Sequence, residues 1–140
     1  MSPSTKPWLI HFFQRHRSDD VNRPVPAVDF LDSCPEQVAA EIHAVLDAVA
    51  AAPPPRFSGG GKWEAMHDEM AGLYEVRVSF DQYNYRLFCR LERNADDLGG
   101  SSIVALGGLK KPRRQPAVPK DYRIVRSWSD EFTKRRTVLS

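Results

Sequence analysis

The stretch that decides the fold is Leu73-Tyr74-Glu75-Val76-Arg77-Val78-Ser79-Phe80, then Asp81-Gln82, then Tyr83-Asn84-Tyr85-Arg86-Leu87-Phe88-Cys89-Arg90-Leu91-Glu92. Its apolar residues recur with a period of two. Tyr74, Val76, Val78 and Phe80 fall on one face, with Glu75, Arg77 and Ser79 on the other. The second run places Tyr85, Leu87, Cys89 and Leu91 opposite Arg86, Arg90 and Glu92. With Asp81-Gln82 as a two-residue turn, Phe80 pairs with Tyr83 and Arg77 faces Arg86, although Asp-Gln lacks the glycine that such turns favour. Like charges facing each other destabilise a strand pair, so an anion held between them is one reading. The blander reading, commoner on spacing alone, has Glu75 and Glu92 neutralising the arginines on a solvated sheet face.

Downstream, a polar loop containing Gly99-Gly100 leads into Ile103-Val104-Ala105-Leu106, a continuous apolar run suited to a central strand buried on both faces. Gly107-Gly108-Leu109-Lys110-Lys111-Pro112-Arg113-Arg114 follows directly. Glycines permit close backbone approach, and four cations with no nearby acid suit phosphate contacts, though basic loops are more often plain solvated surface. The segment from Asp121 to Arg136 reads as a helix carrying Ile124, Val125, Trp128 and Phe132 on one side.

Upstream, residues 56 to 72, with Gly59-Gly60-Gly61, show no firm period, and His67-Asp68-Glu69 within them has the residue types of acid/base machinery in an undefined setting. Before them, Val38, Ile42, Val45, Leu46 and Val49 make a helical stripe. Ser33-Cys34-Pro35-Glu36 fits a capping box at its start, and Pro53-Pro54-Pro55 stops it. Residues 8 to 13 are aromatic and branched enough for a first strand, Ser18 to Pro26 reads as a loop, and Ala27 to Leu31 as a short helix.

A chain of 140 residues, 41% hydrophobic, supports one core, so a single domain over 1–140 is expected, with residues 1–7 a flexible tail and 133–140 frayed. The formal charge of +2 conceals an asymmetry, because residues 110 to 136 hold 10 Lys/Arg against 3 Asp/Glu. Such a segment attracts polyanions, nucleic acid above all. Cys34 and Cys89 are too few for a disulfide scaffold or a four-thiolate zinc site, and the histidines lack ligand spacing, so no metal and no cofactor is expected. The apolar run at residues 8 to 13 is too short to cross a bilayer, and Arg15-His16-Arg17 follows it rather than precedes it, which points to a cytoplasmic protein with no membrane partner.

The order of these pieces is more specific than any one of them. Pro26-Ala27-Val28-Asp29-Phe30-Leu31, the helix, Gly72-Leu73-Tyr74-Glu75-Val76-Arg77, Tyr85-Arg86-Leu87-Phe88 and Ile103 to Lys111 together resemble the phage-derived, HigB-like toxins of the RelE/ParE superfamily, over about Trp8 to Phe132. Where those toxins carry a His-Gly-Phe-type sequence before paired lysines, this chain has Gly107-Gly108-Leu109. The resemblance implies an α+β fold, two N-terminal helices on a twisted, mainly antiparallel sheet, and the toxin of a type II toxin-antitoxin module. It implies as partners a helix-turn-helix, HigA-like antitoxin, messenger RNA and, in many members, the ribosome.

Cleavage by a 2′-hydroxyl needs proton transfer and stabilisation of an anionic phosphorane, which guanidinium groups supply well. On this reading Arg77 and Arg86 hold the scissile phosphate, and Lys110 and Lys111 transfer protons or clamp the backbone. Arg90, Arg113 and Arg114 attract RNA, and Tyr85 or Tyr83 stacks on a base, with alternation placing Tyr85 away from Arg86. The rivals are a ParE-like inhibitor that binds DNA gyrase without catalysis, and an inactive relic that retains antitoxin binding.

Overall fold

The computed structural model describes residues 7 to 53 and 61 to 139. Five strands form one sheet, with β1 (Leu9–Phe12), β2 (Trp63–Ala65), β3 (Leu73–Phe80), β4 (Tyr83–Glu92) and β5 (Ser102–Pro112) in the order β1-β5-β4-β3-β2. Only β1, on β5, is parallel to its neighbour. Helices α1 (Pro26–Ser33) and α2 (Glu36–Ala51) cover one face, and α3 (Pro119–Arg135) lies on the other. The molecule is therefore α+β, as expected from the alternation of period-two and helical segments.

The hairpin register is the one the alternation predicts. Phe80 pairs with Tyr83 and Arg77 with Arg86. Asp81 and Gln82 both take positive φ, 47° and 72°, which lets a two-residue turn match the strand twist at some conformational cost without glycine. On the α1/α2 face, Val76, Val78, Tyr85, Leu87 and Cys89 pack against Val38, Ile42, Leu46 and Val49. On the α3 face, Leu73, Phe88, Val104 and Leu106 pack against Val125 and Phe132. Each large apolar side chain so buried contributes roughly 1.5–3 kcal/mol.

The central apolar run is longer than expected and interrupted. Phe88 pairs with Gly107 and Cys89 with Ala105, so Leu106 is an extra residue, a β-bulge. Before it, Val104 and Leu106 face α3, whereas after it Gly107, Leu109 and Lys111 do so and Gly108 and Lys110 face α1. A Cβ on Gly107 would lie 2.3 Å from the Trp128 ring, and one on Gly108 2.4 Å from the Phe30 ring. Those rings fill the space a side chain at either position would need.

Several expectations change. The α2 N-cap is Pro35 rather than Ser33, because Ser33 ends α1 and its hydroxyl donates back to the Phe30 carbonyl at 2.6 Å. The helix stops at Ala51 ahead of Pro53, while Pro54, Pro55, Gly59 and Gly60 lie outside the described residues, as do residues 1–6 of the expected tail. Residues 133 onward were expected to fray. Instead α3 runs to Arg135, Arg136 binds Glu92 and Asp97, and Val138 bridges to Phe13. Ile124, expected on the buried side of α3, is 44% exposed, and Ser129 takes the inner position with Val125 and Phe132. Among the described residues no helix is long and apolar enough to cross a membrane.

Candidate functional site

Arg77 and Arg86 face each other across β3 and β4 on the α3 side of the sheet, with Glu75 two residues before Arg77 on the same face. Glu75 is only 7% exposed. One carboxylate oxygen lies 3.5 Å from Arg77 Nε and the other 4.0 Å from Arg86 Nη1. The second, Oε2, is buried and makes no hydrogen bond. Burial raises the Glu75 carboxyl above the ordinary range, the Arg86 and Arg77 charges pull it back, and Glu64 pushes it up further. Glu64 does so because β2 sets it directly opposite Glu75. A facing pair of acids thus adjoins a facing pair of arginines, each disfavoured on its own.

Two concavities meet at this point. One, of about 400 Å³, is lined by Lys62, Arg77, Ser79, Asn84 and Arg86, with Glu41 of α2 beside Lys62 and ion-paired to it. The other, of about 360 Å³, is lined by Glu64, Met66, His67, Glu69, Glu75 and Tyr122 among others. Arg77 lines both, so the cationic and acidic recesses share a wall. Tyr122, from the first turns of α3, places its hydroxyl 3.4 Å from Arg86 Nη1 and its ring edge-on to Phe88. His67-Asp68-Glu69, unplaced by periodicity, lies along the acidic recess.

The expected four-cation cluster is divided by the sheet. Lys111 is on the same face as Arg77 and Arg86, but its ammonium pairs with Asp121 at 3.0 Å. That carboxyl is held below the ordinary range, chiefly by the hydrogen bond it accepts from the Val118 backbone at 3.0 Å, with Lys111 adding to it. Lys110 points the other way, 3.9 Å from the Tyr83 ring centre and 5.7 Å from that of Tyr85. Consecutive strand residues point to opposite faces, and the bulge at Leu106 sets which of the two lysines joins the arginines. Tyr85 is buried in the core on the α1/α2 side, although its edge also lines the cationic recess.

Arg90, expected to contact RNA, is occupied. Its guanidinium donates to the Ser129 carbonyl at 2.9 Å and to Glu92 at 3.2 Å, also donates to the Thr133 hydroxyl, and stacks over Phe132. It therefore anchors α3 and stands apart from the Arg77–Arg86 pair. Arg113 and Arg114 are exposed where the chain leaves β5, next to the hairpin turn, with the Arg113 amide donating to the Gln82 carbonyl.

Sequence reasoning cast Glu75 only as a neutralising charge and missed Glu64 and Tyr122. Glu64 lies on a three-residue strand too short for a period to register. Tyr122 is brought in by tertiary packing of α3, which no local pattern encodes. Among the described residues, no group of three or more His, Cys, Asp or Glu side chains converges as metal ligands.

No family model and no curated protein sequence matches this chain. A chain of the crystal structure of the toxin-antitoxin complex RelBE2 from Mycobacterium tuberculosis is similar to it with a TM-score of 0.48 and 16% identity, over 75% of this chain and 99% of that one. A likeness at that level carries no argument about function.

Proposed function

We propose that this chain is the toxin of a type II toxin-antitoxin module and that it cleaves messenger RNA through the Glu75–Arg77–Arg86 site. The observation that carries the reading is a buried carboxylate oxygen without a hydrogen bond, beside two guanidinium groups that line a concave face. Most buried carboxylate oxygens accept hydrogen bonds. This cluster leaves an acceptor free beside an anion site.

The chemistry follows from the placement. The scissile phosphate occupies the cationic recess against Arg77 and Arg86, where forked donors stabilise the phosphorane. Glu75, ionised, accepts the proton of the attacking 2′-hydroxyl. The new bond is 2′-oxygen to phosphorus, and the bond that breaks is phosphorus to the 5′-oxygen. Solvent returns a proton to the departing 5′-oxygen, and Glu75 releases its proton to solvent. The products are a 2′,3′-cyclic phosphate and a 5′-hydroxyl. Lys111, paired with Asp121, clamps the backbone on the same face, while Lys110, on the opposite face, falls outside the reacting group. Arg113 and Arg114 add non-specific attraction. The partners in this reading are a helix-turn-helix, HigA-like antitoxin and messenger RNA, free or on the ribosome, in the cytoplasm.

The test is cleavage of a defined messenger RNA by the purified protein, alone and with translating ribosomes, by wild type and Glu75→Gln. Wild type is expected to yield cyclic-phosphate ends, and Glu75→Gln to bind the RNA but cleave at least 100-fold more slowly. Growth arrest that persists in Arg77→Ala and Arg86→Ala together with a DNA-damage response would replace this reading with a ParE-like inhibitor.

A further inference from the structure

We propose that the acidic recess on the far side of Arg77 is a nucleobase subsite that selects guanine in the nucleotide carrying the attacking 2′-hydroxyl. The proposal deepens the nuclease reading and rests on it. Three observations carry it. First, the recess adjoins the cationic one through Arg77, and Glu75 lines the acidic side 3.5 Å from the Arg77 guanidinium. A nucleotide whose phosphate lies against the arginines and whose ribose lies at Glu75 therefore has its base directed into the acidic side. Second, Glu64 and Glu75 face each other across β2 and β3, an arrangement kept despite like-charge repulsion. Third, the Glu75 side chain is nine-tenths buried, lines this recess and has an oxygen with no hydrogen bond. With Glu75 engaged at the ribose, the exposed Glu64 and Glu69 are the carboxylates free to read the base.

The choice of guanine follows from what a carboxylate accepts. Guanine presents two adjacent donors, N1–H and the 2-amino group, spaced to match two carboxylate oxygens. Adenine and cytosine each present an amino donor beside a ring-nitrogen acceptor, and uracil a donor between two acceptors, so a carboxylate gains one bond and meets a lone pair. Protein pockets read splayed-out bases of single-stranded RNA through such edges and hold them by stacking on aromatic side chains. Tyr122 and His67 supply aromatic surface and Met66 an apolar one in the same recess. A volume of about 360 Å³ accommodates one purine base with solvent.

The experiment is fluorescence-anisotropy binding of short RNAs that carry a single guanosine, inosine or adenosine before the scissile bond, 2′-O-methylated there to block cleavage. The full chain and its Glu64→Gln and Glu69→Gln variants are compared, with and without EDTA. Wild type is expected to bind the guanosine RNA about tenfold more tightly than the adenosine RNA, with inosine, which lacks the 2-amino group, between them. One of the two variants is expected to abolish the preference while keeping the adenosine affinity. Equal affinity for guanosine and adenosine in wild type overturns the proposal and leaves the nuclease reading standing, and it is the result expected if the recess instead takes a cationic side chain of a protein partner. Preference retained in both variants, or lost on adding EDTA, also overturns it. Failure to bind any of the RNAs defeats the nuclease reading itself.

Discussion

Two clusters of arginine and carboxylate lie on the α3 side of the same sheet, and they differ in how completely their charges are satisfied. Around Glu92, Arg136 donates at 2.7 Å and Arg90 at 3.2 Å, while Arg136 also grips Asp97 and Arg90 grips α3. Around Glu75, the arginines stand off at 3.5 and 4.0 Å and one buried oxygen has no hydrogen bond. The same residue types at the same spacing along alternating strands thus serve two ends. The first cluster is closed and fastens the C-terminal helix. The second borders two recesses and leaves a buried acceptor without a hydrogen bond. The two clusters differ in satisfaction rather than in composition.

That contrast is open to attack by substitution. The largest effect is expected at the open cluster. Arg77→Ala or Arg86→Ala should slow RNA cleavage by about 100- to 1000-fold, the cost of removing one preorganised donor, with little change in thermal melting. Unfolding of either variant under conditions where wild type is native would erase the distinction.

Next is the pH profile of cleavage. In the proposed mechanism Glu75 accepts a proton only when ionised, and its folded-state carboxyl is raised by burial. Activity should therefore fall about tenfold per pH unit as the solution is acidified below that raised value, a break lying above the ordinary glutamate range near 4.3. Titration of single-turnover rates from pH 4 to 8 locates it. A rate flat down to the ordinary range would remove Glu75 from proton transfer.

At the closed cluster the expectation reverses. Arg90→Ala strips donors from Ser129, Thr133 and Glu92 and should cost about 2 kcal/mol of stability by urea titration, with the cleavage rate per folded molecule unchanged. A selective loss of activity without loss of stability would make Arg90 an RNA contact after all.

The smallest effect concerns the turn that sets Arg77 opposite Arg86. Gln82 sits at φ 72°, and Gln82→Gly should stabilise the fold by about 1 kcal/mol while preserving cleavage. Altered cleavage would mean that the strain itself tunes the site.

The hairpin was legible because period-two alternation and a two-residue connection leave one register that keeps the apolar faces together. The arginine pair came with it. The acid side of the site was not legible, since β2 is three residues long and only Trp63 of it is buried. Nor was the role of Arg90, whose partners Ser129 and Thr133 lie far along the chain on α3 and meet it only through packing. Ser33 misled for a local reason, because the Ser-x-x-Glu signature of a cap coincides here with the last turn of the preceding helix.

The extra residue at Leu106 carries one more implication. Lys110 and Lys111 are consecutive in the sequence yet stand on opposite sides of a wall, and a single skipped step in the strand decides which of them shares a room with the arginines. Deleting Leu106 would remove the bulge and keep Lys111 opposite Asn84, whereas pairing Leu106 into a regular ladder would slip everything beyond it by one step and exchange the two lysines, converting a neighbour of tyrosines into a neighbour of Arg86.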